Sequence, residues 1–480
     1  MIKKITSVLL AGFFLLGLSC RLSVASSQGY IVYTAVGEDG KPLPELVVLN
    51  ESGNELRRIE IPADAKYGNL YTAYPFHHPS HQAFVYTPGG KNYLVDITSG
   101  EVKPALGPGA STIQDDANPL YICPQSGHVW QRWALLCRGN IPYLVNLETA
   151  EVHEVMPEPR VDEMTPFKSW SSPDETYLAI RTGDGTFILP AANPEGIRRL
   201  GESGEYPAVD FSSNSKQIAY VLQTESQGYE VIVENVDGSK SGVMYVSNKP
   251  TQVSFIPEHD QILVRETGKM LLLSLSNRKE QEITALEGFP MDAIFAPHGE
   301  QVLLSYNDIG VNATRWQWLE LKGGIVKELP ELSGYRVGQI YTGQRWIILS
   351  VVTQTDEQAE IDMASVDLQT GSVQPLSAME GANYFAETSV SADGKFRTGI
   401  AYSAGNQAEF WLLDLAGGKS RRIAGDAVVS GGISPDGKRL VVLSGHRTGD
   451  QYTGKIELQD TSGKVLKSLG DGLSPFWVWP

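Results

Sequence analysis

Three groups of side chains in this chain are of types that could do chemistry. His77, His78 and His81 stand together in His77-His-Pro-Ser-His81, the one histidine cluster. Neutral imidazoles so spaced can bind zinc or copper, although no carboxylate or cysteine stands close by, and a solvated turn accounts for the same residues. His128, His259 and His298 also fall at turns. Gln252, Asp292 and Glu387 each lie three positions before the residue that opens a recurring hairpin. If the hairpins align around an axis, these oxygens approach it, where Ca²⁺ or Mg²⁺ would suit them; a merely polar, wet channel is the alternative. The third group lies in long connections: Tyr67, Tyr71 and Tyr74; Arg315 and Trp316; His446, Arg447 and Tyr452. Tyrosine, tryptophan and arginine dominate interface energies, which makes these the expected binding residues for a partner, while loops that merely drift in length are the bland alternative. The stretch 353–362, with Asp356, Glu357, Glu360 and Asp362, reads as a solvated acidic loop.

These residues are positioned by a repeat. Ile433-Ser-Pro-Asp-Gly-Lys-Arg-Leu-Val-Val-Leu-Ser444 reads as strand, turn, strand. Proline presets φ in the turn, aspartate bonds the local backbone and glycine tolerates the exit. Related stretches begin at Trp170, Phe211, Phe255, Phe295 and Val390, and weaker ones at His78, Ile122 and Tyr341. Pro257 and Pro297 are 40 residues apart, Pro173 and Pro257 are 84, and Pro297 and Pro435 are 138. Multiples of roughly 40–45 residues fit four-stranded propeller blades. A second hairpin with a small-residue turn alternates with the first, as in Tyr93–Val102, Tyr143–Val152, Ser365–Val373 and Ile456–Val465, and ten such units are expected.

Proline precedes the opening aromatic by four or five positions at Pro166, Pro207, Pro250 and Pro290, where a strand can begin without losing a ladder donor. Pro475-Phe-Trp-Val-Trp-Pro480 has the same proline and aromatic with no turn after it, whereas Gly29-Tyr-Ile-Val-Tyr-Thr34 starts as a second strand. The two ends are therefore expected to complete one blade, with residues 474–480 as its first strand and 29–61 supplying the other three, which removes an open sheet edge.

The Ser-Pro-Asp-Gly repeats, cleanest at Ser172–Ile180, Phe211–Tyr220 and Ile433–Leu443, resemble those of TolB-type propellers of exported bacterial proteins. Weaker matches span residues 29–480. The resemblance implies an all-β propeller serving as a periplasmic or surface scaffold for proteins or small ligands. Ten units exceed the usual four to eight blades, so one wide ring is expected, with two rings as the alternative. Prolyl-oligopeptidase-type enzymes carry a related propeller, but neither a Gly-x-Ser-x-Gly elbow nor an α/β domain is present.

Composition agrees. The chain has 480 residues, 48 of them glycine and 27 proline, as suits a turn-rich all-β protein. Lys3 and Lys4, the apolar run Ile5–Leu18 and Ser23-Val24-Ala25 predict a signal peptide over 1–25 and a propeller over 26–480. Loss of Lys3, Lys4 and Arg21 would take the formal charge from −17 to −20, unsuited to nucleic acid or anionic lipid. A membrane anchor is expected only if Cys20 is lipidated. Cys123 and Cys137 remain as a disulfide candidate within one hairpin region, with two buried thiols as the alternative. The resulting expectation is an exported scaffold that binds a protein or small ligand through its loop face, with no catalysis and no cofactor unless Ca²⁺ binds. The alternative is a metal-dependent hydrolase or lyase working through Asp292 and Glu387 in the channel.

Overall fold

The computed structural model describes residues 29–62, 72–75, 82–86, 92–104, 121–122, 132–138, 141–155, 168–182, 185–201, 208–224, 228–283, 288–308, 313–337, 345–354, 359–376, 379–380, 382–403, 408–426, 428–448 and 451–478. Among these, almost all regular structure is antiparallel strand, with two single turns of 3-10 helix at Pro194–Gly196 and Pro330–Leu332.

The strands follow one another in fours. Blade two comprises Thr72–Pro75, Gln82–Tyr86, Asn92–Asp96 and Val102–Pro104, and blade three runs from Tyr121–Ile122 to Val152–Glu154. Blades four to seven begin at Lys168, Val209, Thr251 and Phe289, and each pairs its strands in simple chain order. Blade eight is Arg336–Val337, Trp346–Gln354, Ala359–Asp367 and Ser372–Pro375, with Met379–Glu380 added against its third strand. Blade nine is Ala382–Val390, Phe396–Ser403, Ala408–Asp414 and Lys419–Asp426. Blade ten is Val428–Ile433, Arg439–Thr448, Gln451–Asp460 and the first part of Val465–Val478.

The first blade is closed by both ends of the chain. Tyr30–Val36, Pro42–Asn50 and Glu55–Glu60 form three of its strands, and the far half of Val465–Val478 is the fourth, with Tyr30 opposite Val478, Ile31 opposite Trp477 and Ala35 opposite Gly472. The inner strand spans 472–478, two residues earlier than the sequence suggests, because the preceding outer strand of blade ten continues into it without a turn. The Tyr33 ring lies where a Cβ on Gly472 would stand, at 2.4 Å, so this crossing requires glycine. The chain is a β-propeller.

Alternation along the strands sends apolar side chains to both faces of each blade, and the core lies between blades rather than within one. Nine apolar clusters among the described residues each join two consecutive blades. Phe476 and Val478 pack with Val48, Val95 and Ile97 toward blade two, while Trp477 between them packs with Val441 and Ile456 toward blade ten. No cluster among the described residues joins blades two and three.

The Ser-Pro-Asp-Gly turns share one hydrogen-bond plan. Ser172, Ser212, Ser391 and Ser434 donate through Oγ to Oδ1 of Asp174, Asn214, Asp393 and Asp436 at 2.8, 2.9, 2.7 and 2.6 Å. The same hydroxyls accept from the amides of Tyr177, Gln217, Phe396 and Arg439 at 2.9–3.0 Å. Partial burial pushes the three aspartates up, but hydrogen bonds outweigh it and hold them below the usual carboxylate range: from the Thr176 hydroxyl and amide and then Ser172 at Asp174, and from the serine hydroxyl and the following lysine at Asp393 and Asp436. These turns also touch one another around the lower face: the Asp174 amide donates to Ser215 Oγ at 3.0 Å and the Ala392 amide to Pro435 O at 2.9 Å.

Candidate functional site

In every blade the innermost strand starts, the second ends and the third starts on one face, here called the upper face; the Ser-Pro-Asp-Gly turns lie on the other. Among the described residues, large exposed apolar side chains fall in two places. Leu56, Val243, Val246, Ile325, Val465 and Leu466 lie on outermost strands, while Leu43, Met291, Val352, Tyr384 and Tyr402 lie at upper-face strand ends. Of the second group, all but Leu43 fall on the consecutive blades seven, eight and nine.

Tyr384 and Tyr402 are cross-strand partners in blade nine. Their rings stack with centroids 6.2 Å apart and planes inclined by 25°, yet they remain 63% and 40% exposed. Partial burial, then the neighbouring Tyr384, pushes the Tyr402 phenol up, so its hydroxyl is neutral near pH 7. A tyrosine pair held by two strands presents a large, rigid, amphipathic surface, the type that anchors interfaces.

Elsewhere, polar side chains of one blade bond the backbone of the next. Asp210, on the innermost strand Val209–Phe211 of blade five, accepts from the Phe255 amide of the next blade at 2.7 Å and from the Phe211 amide at 2.9 Å. Ser389 of blade nine makes the matching reach, accepting from the Ile433 amide of blade ten at 2.7 Å. Although Asp210 keeps intermediate surface exposure, the protein around its carboxyl desolvates it and pushes its pKa to about 7, against the two amides and Arg265. Arg265 is buried in blade six and donates to Asp292 O at 2.8 Å and Met291 O at 3.3 Å. Its Nε and the buried Tyr306 hydroxyl of blade seven have no hydrogen-bond partner among the described residues.

The residues expected from the sequence are dispersed. Asp292 accepts from the Ser305 hydroxyl at 3.1 Å, and Glu387 pairs with the fully buried Arg397 at 2.8 Å. The fold therefore does not bring these two carboxylates together, and no group of three or more metal-binding side chains gathers among the described residues. Trp316 is not a loop residue. It lies within the strand Ala313–Glu320, 2% exposed, packs between blades seven and eight and donates through Nε1 to Tyr335 O at 3.0 Å. The hairpin before it is longer than its polar sequence suggests, which draws Trp316 into the joint. Arg315 shares that strand and is held between Asp308 at 3.7 Å and Glu328 at 3.4 Å.

His446, Arg447 and Tyr452 likewise extend a hairpin, with His446 opposite Thr453 and Arg447 opposite Tyr452. His446 is exposed at the upper face, and the side chains of Arg447 and Tyr452 lie outside the described set. Tyr67 and Tyr71, the His77–His81 cluster, Cys20 and Cys123 fall outside the described residues, as does the side chain of Tyr74. Cys137 stands opposite Tyr121 in blade three.

Sequence reading missed the Tyr384–Tyr402 pair. The available signal was modest: two tyrosines on either side of one hairpin, at ends where alternation turns each of them away from the blade joints.

No family model matches the chain, and no curated protein matches it. Solved propellers resemble it weakly. Hydrazine synthase from Kuenenia stuttgartiensis aligns with 62% of this chain and 98% of its own at 14% identity and a TM-score of 0.38. Oligogalacturonate lyase from Vibrio parahaemolyticus aligns with 68% and 88% at 11% and 0.39, and TolB from Acinetobacter baumannii with 75% and 82% at 18% and 0.28. The proteins named here include enzymes as well as TolB, and likeness at this level carries no activity.

Proposed function

We propose that the chain is an exported, TolB-type propeller scaffold, closed as one ring, that binds a protein or small ligand through its upper face. The observation that carries this reading is the exposed, stacked Tyr384–Tyr402 pair; Met291 and Val352 are also exposed at upper-face strand ends on the two preceding blades. An exposed aromatic pair costs solubility unless something covers it, and Tyr is enriched among the residues that hold partners. The repeated serine–aspartate turns support the TolB-type kinship, the packing of successive blades supports one ring, and the apolar run Ile5–Leu18 supports export. Among the described residues Glu387 is engaged by Arg397, and Asp292 bonds Ser305 instead of meeting it.

The test is affinity capture from envelope extract with the wild-type chain and the Tyr384→Ala/Tyr402→Ala variant as baits. A partner recovered by the first and lost by the second, at unchanged thermal stability, supports this face. Equal recovery by both removes it.

A further inference from the structure

We propose that Arg265 and Tyr306 bind a small monovalent anion, chloride in size and charge, in the joint between blades six and seven. The site is separate from the Tyr384–Tyr402 surface, and its test does not depend on that reading.

The two side chains face the same joint. Arg265 stands opposite Met270 in the blade-six ladder, and Met270 packs with Leu263, Leu304 and Tyr306 where the two blades meet. Both then close on one bulge in the innermost strand Phe289–Phe295, where the register shifts between Pro290 and Ala293. The guanidinium donates to the carbonyls of Met291 and Asp292 within that bulge, at 3.3 and 2.8 Å, and Tyr306 lies opposite Pro290 at its edge. The two groups also act on each other. Burial pulls the Arg265 guanidinium down, and Tyr306, ahead of Asp292 and Asp210, opposes it; burial pushes the Tyr306 phenol up, and Arg265 opposes that.

The bonds these side chains make define the ligand. Arg397, the other buried arginine among the described residues, has Glu387 at 2.8 Å. Arg265 has no such carboxylate among the described residues. Asp292 offers it a main-chain carbonyl while its own carboxylate takes the Ser305 hydroxyl, and the Asp210 carboxylate takes the amides of Phe211 and Phe255. A buried guanidinium held only by neutral carbonyls is costly, and its Nε and the Tyr306 hydroxyl still have donors to place. An acceptor with one negative charge satisfies both donors and the guanidinium, whereas a water satisfies the donors alone. The permanent charge of arginine excludes a cation. Arg265 is 2% and Tyr306 0% exposed, which restricts the site to a monatomic ion and shuts out phosphate, sulfate and carboxylate ligands.

Chloride is the probe. The chloride NMR line, followed as the full chain is titrated with sodium chloride in sodium gluconate at constant ionic strength, should show excess broadening that bromide displaces. Tyr306→Phe should raise the Kd about tenfold, and Arg265→Gln should abolish the broadening. Because Tyr306→Phe deletes a hydroxyl with no protein partner among the described residues, it should unfold in gluconate at the wild-type temperature or above, which separates lost binding from lost folding. No broadening in the wild type, or equal broadening in Tyr306→Phe, would overturn the site. In crystals grown with bromide, the anomalous peak is expected between Arg265 Nε and Tyr306 Oη. A water at that position, with no peak, would overturn the anion.

Discussion

Arg397 and Glu387 illustrate how far residue type alone can mislead. In sequence Glu387 is a carboxylate aligned with Asp292; in the fold it is 6% exposed and locked to an arginine whose second nitrogen also donates to Trp346 O at 3.1 Å. Removing one member leaves a buried charge uncompensated, so Glu387→Gln should cost about 3–5 kcal/mol in denaturant unfolding, and Glu387→Gln/Arg397→Met should recover much of it. Additive losses in the double variant would show that the two do not act as a pair. Asp210 makes a different prediction. Its folded pKa, about 7, lies above its unfolded value, so the folded state binds the proton more tightly. Its contribution to stability is complete below about pH 4, declines as pH rises toward 7 and is lost above it. Unfolding midpoints measured from pH 4 to 8 should therefore fall more steeply for the wild type than for Asp210→Asn, whatever the variant's baseline stability; parallel curves would rule out this titration. Neither Asp210 nor Arg397 was legible beforehand, because burial of a charge depends on which blade joint it faces, and one strand's pattern does not report that.

At the scale of the element, the turn was the most legible feature, since its requirements are local. Serine, aspartate and glycine each answer a need set within six residues, and four turns show the same bonds. The degraded copies reveal what the consensus supplies. Gly394 and Gly437 sit at φ 70°, whereas the corresponding positions hold Glu175 and Ser215 at 58° and 59°, and in blade six the left-handed residue is Glu258, one position earlier in the turn, at 63°. A side chain in this left-handed region costs roughly 1–2 kcal/mol. Glu258 gives little in return, its carboxylate reaching only the exposed His298 at 3.4 Å. Glu258→Gly should thus stabilise the protein by up to about 1 kcal/mol, and Gly437→Ala should destabilise it by a similar amount or more, since its Cβ would stand 2.9 Å from the Phe396 ring. Thermal unfolding of the two variants checks both signs, and a destabilising Glu258→Gly would refute the strain argument. Hairpin lengths were less legible. The segments holding Trp316 and His446 carry polar residues typical of loops, yet ladder bonds continue through them, because pairing at the end of a hairpin is decided by the partner strand as much as by composition.

For the whole molecule, closure of the first blade by both ends was readable because it follows from counting: a first strand at one end of the chain and a missing first strand at the other. Which surface binds was not readable, since exposure at a strand end depends on the neighbouring blades. Closure also predicts how the protein comes apart. The strand 472–478 inserts Phe476 and Val478 into one joint and Trp477 into the other, so three blades depend on it. Trp477 is 2% exposed, and replacing so large a buried side chain with alanine should cost about 3–5 kcal/mol. Its Nε1 finds no partner among the described residues, so Trp477→Phe should be far milder. If the ends hold the ring, hydrogen exchange in Trp477→Ala will quicken together in the strands 30–60, in the hairpin 439–460 and across the joint with blade two, because weakening one inner strand opens both of its neighbours. Faster exchange confined to 472–478 would mean that the strand is an appendage and that blades ten and one hold together without it.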